Sequence, residues 1–257
     1  SHIHSWTMDG LLMMPTLGKL QVEPGKENDP DGGYRSRIRH ETEVATPGYY
    51  SVILEDTKIK AEVTTTTRAG FQRYTFPKSD SARVMIDLQI ESEYGTELYD
   101  AHITKVSDTE IEGYTLQQSL RGAGWNEYQL YFMIRFNKAF YSFNGWTRDG
   151  VQRNVTTLFS GWDHGDFGAF VHFKTKANEQ ILVQTGISFV SLEQARLNLD
   201  TEITKPFGWN FDAVHNNARK VWNDLLGVIE IEGKDEVDKK KFYTNLYRVY
   251  VGRTIYS

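Results

Sequence analysis

The 257-residue sequence predicts a mostly β protein, an antiparallel β-sandwich followed by connecting α-helices. Up to about residue 190, short segments rich in β-branched and aromatic residues alternate with Gly, Asn and Asp, and no helical pattern separates them. After Ser191 the apolar residues recur at helical spacing. Strands without intervening helices argue against a βαβ fold, and the lack of a repeat period argues against a propeller or solenoid.

The first strands are predicted between residues 49 and 77, where Tyr50, Val52 and Leu54 alternate with polar neighbours. Two or three strands fit there, because the stretches EDTK and TRAG supply turn residues between them. Further strand segments are predicted at residues 83–90, 101–116, 128–137, 167–175 and 180–190.

Helices are predicted from Ser191 onward. Ser191 can accept a hydrogen bond from the amide of Gln194 while Gln194 reaches back, which is a capping box. The stretch KPFGW then breaks the chain, and Asn210 can cap a helix over 211–226 that ends at Gly227.

The last part of the chain alternates like one more strand at 228–233 and then reads as an amphipathic helix over 235–252. That helix would turn an apolar face toward a core, with Val237, Phe242, Leu246 and Val249. We expect this face to have a partner, and therefore expect further residues to follow or pack on it.

Composition narrows the function classes. The formal net charge is −5 and the basic residues are scattered, so the sequence lacks the basic stripe of a nucleic-acid-binding protein. No apolar run approaches the roughly 18 to 20 residues needed to span a bilayer. Cysteine is absent, which excludes thiol catalysis and Cys-ligated zinc. Serine-hydrolase, P-loop, dinucleotide-binding and H-E-x-x-H motifs are absent as well.

Aromatic side chains among polar residues are the candidate binding features. The chain opens with SHIHSWTMDG, in which His2 and His4 would point to one face of an extended segment beside Trp6 and Asp9. Such a set suits a metal or sugar hydroxyls, although structural histidines or a tag remnant are open alternatives. Trp125 in GAGWNEY could stack on the apolar face of a pyranose, with core packing as the alternative.

Glycosidase chemistry requires two carboxyl groups that flank the scissile bond. No local pattern singles out such a pair. Glu110 and Glu112 are most simply interpreted as a solvated strand face, and the stretch WDHGDFG as a polar hairpin turn rather than a calcium loop. The remaining candidates are Glu41, Glu43 and Asp149.

Several long stretches together carry a resemblance. They are SHIHSWTMDGLLMMPTLG, YRSRIRHETEVATPGYYSVILEDTKIKAEVTTTTRAGFQRYTFP, VSDTEIEGY, VQTGISFVSLEQARLNLDTEI, and VWNDLLGVIEIEG with KKKFYTNLYRVYVGRT after it. In this order they resemble the amino-terminal domain of glycoside hydrolase family 92. The resemblance implies an exo-acting, inverting, calcium-dependent α-mannosidase, chiefly bacterial, that joins a β-sandwich to an (α/α)₆ barrel, with the active site where the two domains meet.

The resemblance also implies a domain division. Residues 1–205 would form the sandwich, with its first strands missing, and 206–257 the helical linker and the start of the helical catalytic domain, with the barrel absent. That barrel would carry the catalytic carboxylates and most calcium ligands, so we assign no catalytic or metal-binding residue within this chain. In the segment SRIRHETE, Arg39 replaces a serine of the family pattern.

The residues predicted to bind substrate are His4, Trp6, Asp9 and Trp125. The resemblance places His4 and Trp6 against the sugar, and implies α-mannosides, as mannan or N-glycan termini, as ligands. It also implies the barrel as partner, no nucleic acid, no membrane span, and a periplasmic or secreted location. Two alternatives remain open: a self-sufficient carbohydrate-binding module, and a scaffold domain that only supports the barrel.

Overall fold

The computed structural model describes residues 11–26, 28–29, 31–89, 96–119, 126–161, 166–233 and 235–251. Within this part of the chain, two antiparallel sheets pack face to face and the helices follow them in sequence. The predicted β-sandwich followed by helices is therefore confirmed.

Fourteen strands lie in the described residues. In chain order they are β1 Leu12–Thr16, β2 Val44–Thr46, β3 Tyr49–Leu54, β4 Ile59–Thr65, β5 Ala69–Phe76, β6 Ser79–Asp87, β7 Thr96–Ser107, β8 Glu110–Ser119, β9 Asn126–Phe136, β10 Ser142–Thr147, β11 Gly150–Gln152, β12 Thr157–Phe159, β13 Gly168–Thr175 and β14 Glu179–Ser188.

The strands form a small and a large sheet. The small sheet has the order β1-β6-β13-β10-β11, and the large sheet has the order β12-β7-β8-β9-β14-β5-β4-β3-β2. Alternate side chains point to opposite faces, so each strand gives one row of side chains to the space between the sheets. Val84 and Phe173 of the small sheet and Phe132 and Ile134 of the large sheet are buried there.

Helices cover part of the outer face of the large sheet. One continuous helix comprises α1 Leu192–Leu199, a π-helical segment Asp200–Thr204 and α2 Lys205–Phe207. It packs on β14 and β9, where Phe71, Met133 and Leu199 form a second apolar cluster. It is longer than predicted, because the chain turns only at Gly208, whose φ of 55° favours glycine.

The predicted helix starts are found. The Ser191 hydroxyl accepts a hydrogen bond from the Gln194 amide at 3.1 Å. The side chain of Gln194 does not reach back, however, and donates to Asn198 Oδ1 instead. Helix α3, Phe211–Leu226, begins where the Asn210 side chain accepts the Ala213 amide at 3.0 Å.

In the carboxy-terminal part both predicted helices are found and one predicted strand is not. Helix α3 ends at Gly227 as predicted, with φ −76° there. Residues 228–233 form no strand, because they run past the end of α3 with Val228 exposed and with no neighbouring strand in the described structure. The predicted last helix is α4, Glu236–Val251, and its apolar face is uncovered in the described structure: it buries none of its residues, and Val237 and Val249 are each 60% exposed.

Candidate functional site

The four predicted substrate-binding residues, His4, Trp6, Asp9 and Trp125, lie outside the described residues. The strands that flank their segments are described, and they show where the chain enters and leaves those segments. The candidate site is therefore defined by these strand ends and by the side chains packed between them.

In the small sheet, one row of register partners holds three strand ends. Leu12 at the start of β1 pairs with Asp87 at the end of β6, and Gly168 at the start of β13 pairs with the same Asp87. Segments 1–10, 90–95 and 162–165 adjoin these strand ends or lie within a few residues of them.

In the large sheet, a second row of register partners also holds three strand ends. Thr96 at the start of β7 pairs with Ser119 at the end of β8, which pairs with Asn126 at the start of β9. The backbone of Leu88 ties the two rows together, because its amide donates to Phe167 O at 3.1 Å and its carbonyl accepts the Gln117 side chain at 2.8 Å. The chain thus connects to segments 1–10 and 120–125 at one end of the sandwich.

Asp87 is the described ionisable group at the centre of this end. Its side chain is buried, its Oδ2 accepts the Tyr34 hydroxyl at 2.6 Å, and its Oδ1 accepts the Gln89 amide at 2.9 Å. Burial raises the pKa of Asp87 to about 7, because desolvation outweighs the stabilisation from these two donors. The same burial, together with the Asp87 carboxylate, raises the pKa of Tyr34.

An apolar cluster explains why Asp87 is buried from solvent. Met85, Trp146 and Phe170 are buried on the outer face of the small sheet, and Leu20 and Tyr34 pack against them from the segment that follows β1. The sequence pattern does not single out Asp87, because the stretch around it is typical of an apolar strand. A lone acid within the stretch RVMIDLQI is the signal that could have identified it.

The raised pKa of Asp87 predicts a pH-dependent stability. Because the folded protein binds the proton more tightly than the unfolded chain, stability falls as pH rises from about 4 to about 7. We expect Asp87→Asn, which is neutral at every pH and keeps the Gln89 bond, to be more stable than the wild type at pH 8 and to lose that advantage below pH 4. Urea unfolding between pH 4 and pH 8 measures the difference in stability between the two proteins. A difference that does not change with pH would contradict the prediction.

Glu110 and Glu112 are not the solvated strand face predicted from the sequence. Helix α1 covers them, and Arg196 binds Glu110 Oε1 at 2.5 Å and Glu112 Oε2 at 2.9 Å. Arg135 binds the other oxygen of Glu110 at 2.9 Å and also pairs with Asp200. Both carboxyl oxygens of Glu110 are therefore bound by arginines.

The other candidate carboxylates also have ordinary surroundings. Glu43 accepts the Tyr50 hydroxyl at 2.7 Å and contacts His40 Nδ1 at 2.9 Å, and these bonds lower its pKa. Asp149 is exposed in the turn between β10 and β11. Among the described residues, no group of three or more His, Asp or Glu side chains could hold a metal ion, so they do not fit the implied calcium.

Comparison with known proteins agrees with this architecture. Residues 1–188 match the glycosyl hydrolase family 92 N-terminal domain, and residues 194–257 match the family's catalytic domain. A curated relative, an uncharacterized secreted glycosidase of Arthroderma benhamiae, is 22% identical across the whole chain, which covers 35% of that protein.

Solved structures show the same fold. A family GH92 α-mannosidase of Bacteroides thetaiotaomicron superposes with a TM-score of 0.86 and 30% identity over 97% of this chain and 32% of its own. Its complex with mannoimidazole gives 0.81 and 31% over 93% of this chain and 30% of its own. The chain thus spans about a third of the length of these relatives. From its family matches, the chain belongs to glycosyl hydrolase family 92.

Proposed function

We propose that this chain is the amino-terminal sandwich, with the first helices of the catalytic domain, of an exo-acting inverting α-mannosidase. The observation that carries the proposal is the family match over residues 1–188 together with α-mannosidase structures that share the fold at 30% identity. One relative was solved in complex with mannoimidazole. This complex supports an α-mannoside as the ligand of the present protein.

In this proposal the end of the sandwich defined by Leu12, Asp87 and Asn126 shapes the mannose pocket. His4, Trp6 and Asp9 on one segment and Trp125 on another supply stacking and hydrogen bonds to the sugar. Several apolar side chains of α4 are exposed. A contiguous exposed apolar surface marks an interaction site, so these side chains support the presence of further helices beside the sandwich.

The reaction we propose is a single displacement. One carboxylic acid protonates the leaving oxygen and one carboxylate activates water, about 6.5 to 9.5 Å away. We place both carboxyls, and the ligands of the implied calcium, outside the described residues and mainly in the catalytic domain. This chain's own residues bind and orient the sugar, and we expect no hydrolysis by the chain alone.

A periplasmic or secreted location is part of the proposal. It is supported by the relative described as secreted. In the described part of the chain, the helices are too short or too polar to cross a membrane.

The test uses the longest gene product that contains this chain, with an aryl α-mannoside and calcium. We expect hydrolysis, and we expect Trp6→Ala to lower kcat/KM at least tenfold by removing the stacking face. The control is Tyr141→Ala, which removes an exposed aromatic ring near Asp80, at the start of β6 and so the opposite end of the small sheet.

Three outcomes would contradict the proposal. An unchanged kcat/KM for Trp6→Ala would favour the scaffold alternative. Mannoside binding without hydrolysis by the longest product would favour the carbohydrate-binding module. Hydrolysis by residues 1–257 alone, abolished when a carboxylate within them is changed, would show that the chain is catalytically complete.

A further inference from the structure

Four ring side chains lie side by side across the outer face of the large sheet. Phe159 of β12 pairs in register with His102 of β7, His102 with Tyr114 of β8, and Tyr114 with Tyr131 of β9. All four point away from the inter-sheet core, whose residues, such as Leu158 and Ile103, alternate with them along the strands. Among the described residues, helix α1 reaches the row at its Tyr131 end.

Phe159 packs against a neighbouring ring although it is 64% exposed. One face of its ring stacks on His102, with ring centroids 4.5 Å apart and an interplanar angle of 18°. Because β12 is the edge strand, the other ring face points away from the sheet. The strand is fixed in place by Ser160, whose hydroxyl accepts the Ala101 amide at 2.7 Å.

His102, the ring on which Phe159 stacks, is itself held by hydrogen bonds. Its Nε2 lies 2.8 Å from the Thr104 hydroxyl, which contacts the Thr157 hydroxyl at 3.1 Å. Burial lowers the pKa of His102, which favours the neutral form of the ring. The result is a preorganised apolar ring face with hydroxyl groups beside it.

The carboxylate of Asp100 lies on the same face of the sheet as these rings. A bulge between Leu98 and Asp100 shifts the register of β7, and the Asp100 Oδ2 accepts the Tyr114 hydroxyl at 2.8 Å. Carboxylate and hydroxyl oxygens beside an aromatic face are the groups that bind a pyranose, since the sugar's C–H face stacks and its hydroxyls donate.

From this arrangement we propose that Phe159, backed by His102 and flanked by Thr157 and Asp100, forms an ancillary binding site for a pyranose unit of an α-mannoside chain. The identity of the sugar rests on the proposed function. A protein partner fits less well, because four strands at about 4.8 Å spacing make a strip about 15 Å wide. A stable protein interface needs about 800 Å² on each side.

The experiment measures retention of the longest gene product on insoluble mannan, and hydrolysis of a small aryl α-mannoside by the same samples. We expect Phe159→Ala to weaken mannan binding at least about fivefold and to leave kcat/KM for the aryl mannoside unchanged. Phe159→Trp should retain mannan binding, because it keeps a ring face. Tyr141→Ala is the matched control, since Tyr141 is also exposed and stacked on a histidine, His172, but its hydroxyl is bound to Asp80 O.

Each outcome decides the proposal. Equal mannan retention for Phe159→Ala and wild type would overturn it, as would a parallel loss of aryl-mannoside hydrolysis, which would assign Phe159 to the catalytic site. A drop in melting temperature with mannan binding unchanged would show that Phe159 is covered by protein. If the wild type neither hydrolyses the aryl mannoside nor binds mannan, the proposed function itself fails. Hydrolysis without Phe159-dependent binding removes only the ancillary site.

Discussion

Replacing Arg73 by methionine is expected to lower the free energy of unfolding by about 3–5 kcal/mol. Arg73 binds both carboxylate oxygens of Glu62 at 2.9 Å, and Glu62 is 3% exposed. Burial alone would raise the pKa of Glu62. The bonds from Arg73, Tyr49 and Lys60 outweigh it and lower that pKa to about 2. Methionine keeps the apolar stem but leaves the carboxylate buried with fewer partners.

Arg37→Met is the matched control. Arg37 also binds the Asp56 carboxylate through two nitrogens, and Asp31 besides, but its side chain is 56% exposed, so we expect a much smaller loss. Urea unfolding at pH 7 measures both variants. Lowering the pH to 4 should narrow the deficit of Arg73→Met, because Glu62 then gains a proton that the wild-type pair excludes. Equal losses for the two variants would contradict this account.

A methyl group added at Gly186 is expected to cost about 3 kcal/mol, near the upper end for overpacking. Helix α1 lies directly on this glycine of β14. An added Cβ would meet Ala195 O at 2.3 Å and Leu199 Cβ at 2.7 Å. Both atoms belong to the helix, one of them to its backbone, so α1 would have to move off the sheet.

Gly70→Ala provides the control for the glycine substitution itself. Gly70 of β5 is opposite Thr185, next to Gly186 in sequence, and a Cβ there would only contact Gln72 Nε2 at 3.5 Å. We expect that variant to lie within about 0.5 kcal/mol of the wild type. Urea unfolding followed by circular dichroism compares them. A Gly186→Ala variant as stable as Gly70→Ala would show that α1 does not press on the sheet.

The sandwich was predictable because most of its strands alternate or are flanked by turn residues. Phe132 and Ile134, for example, sit at alternate positions within an apolar and aromatic stretch, and both are buried. The segment 228–233 has the same alternation and forms no strand. Alternation records which residues prefer burial, but a strand also needs a neighbour for its backbone, and no described strand lies beside this segment.

The candidate site was less predictable than the fold. Glu110 and Glu112 alternate like a polar surface, and only the long-range placement of Arg196 and Arg135 reveals that α1 covers them. Asp87 gains its raised pKa from burial, to which residues far away in sequence such as Trp146 and Phe170 contribute. The row of rings at Phe159 depends on the register of four strands, which no local pattern specifies.

The position of α1 bears on how this protein could have evolved. The family's amino-terminal match ends at residue 188 and its catalytic match begins at 194, yet α1 begins at Leu192 and packs on β14 and β9. A recombination event at that boundary would give the sandwich to one descendant and its covering helix to another. Phe71 and Met133 would then be left facing water. Because Phe211 of α3 packs in the same cluster, the sandwich, α1 and α3 are expected to be inherited together, and exchange between lineages should favour breakpoints after Gly227.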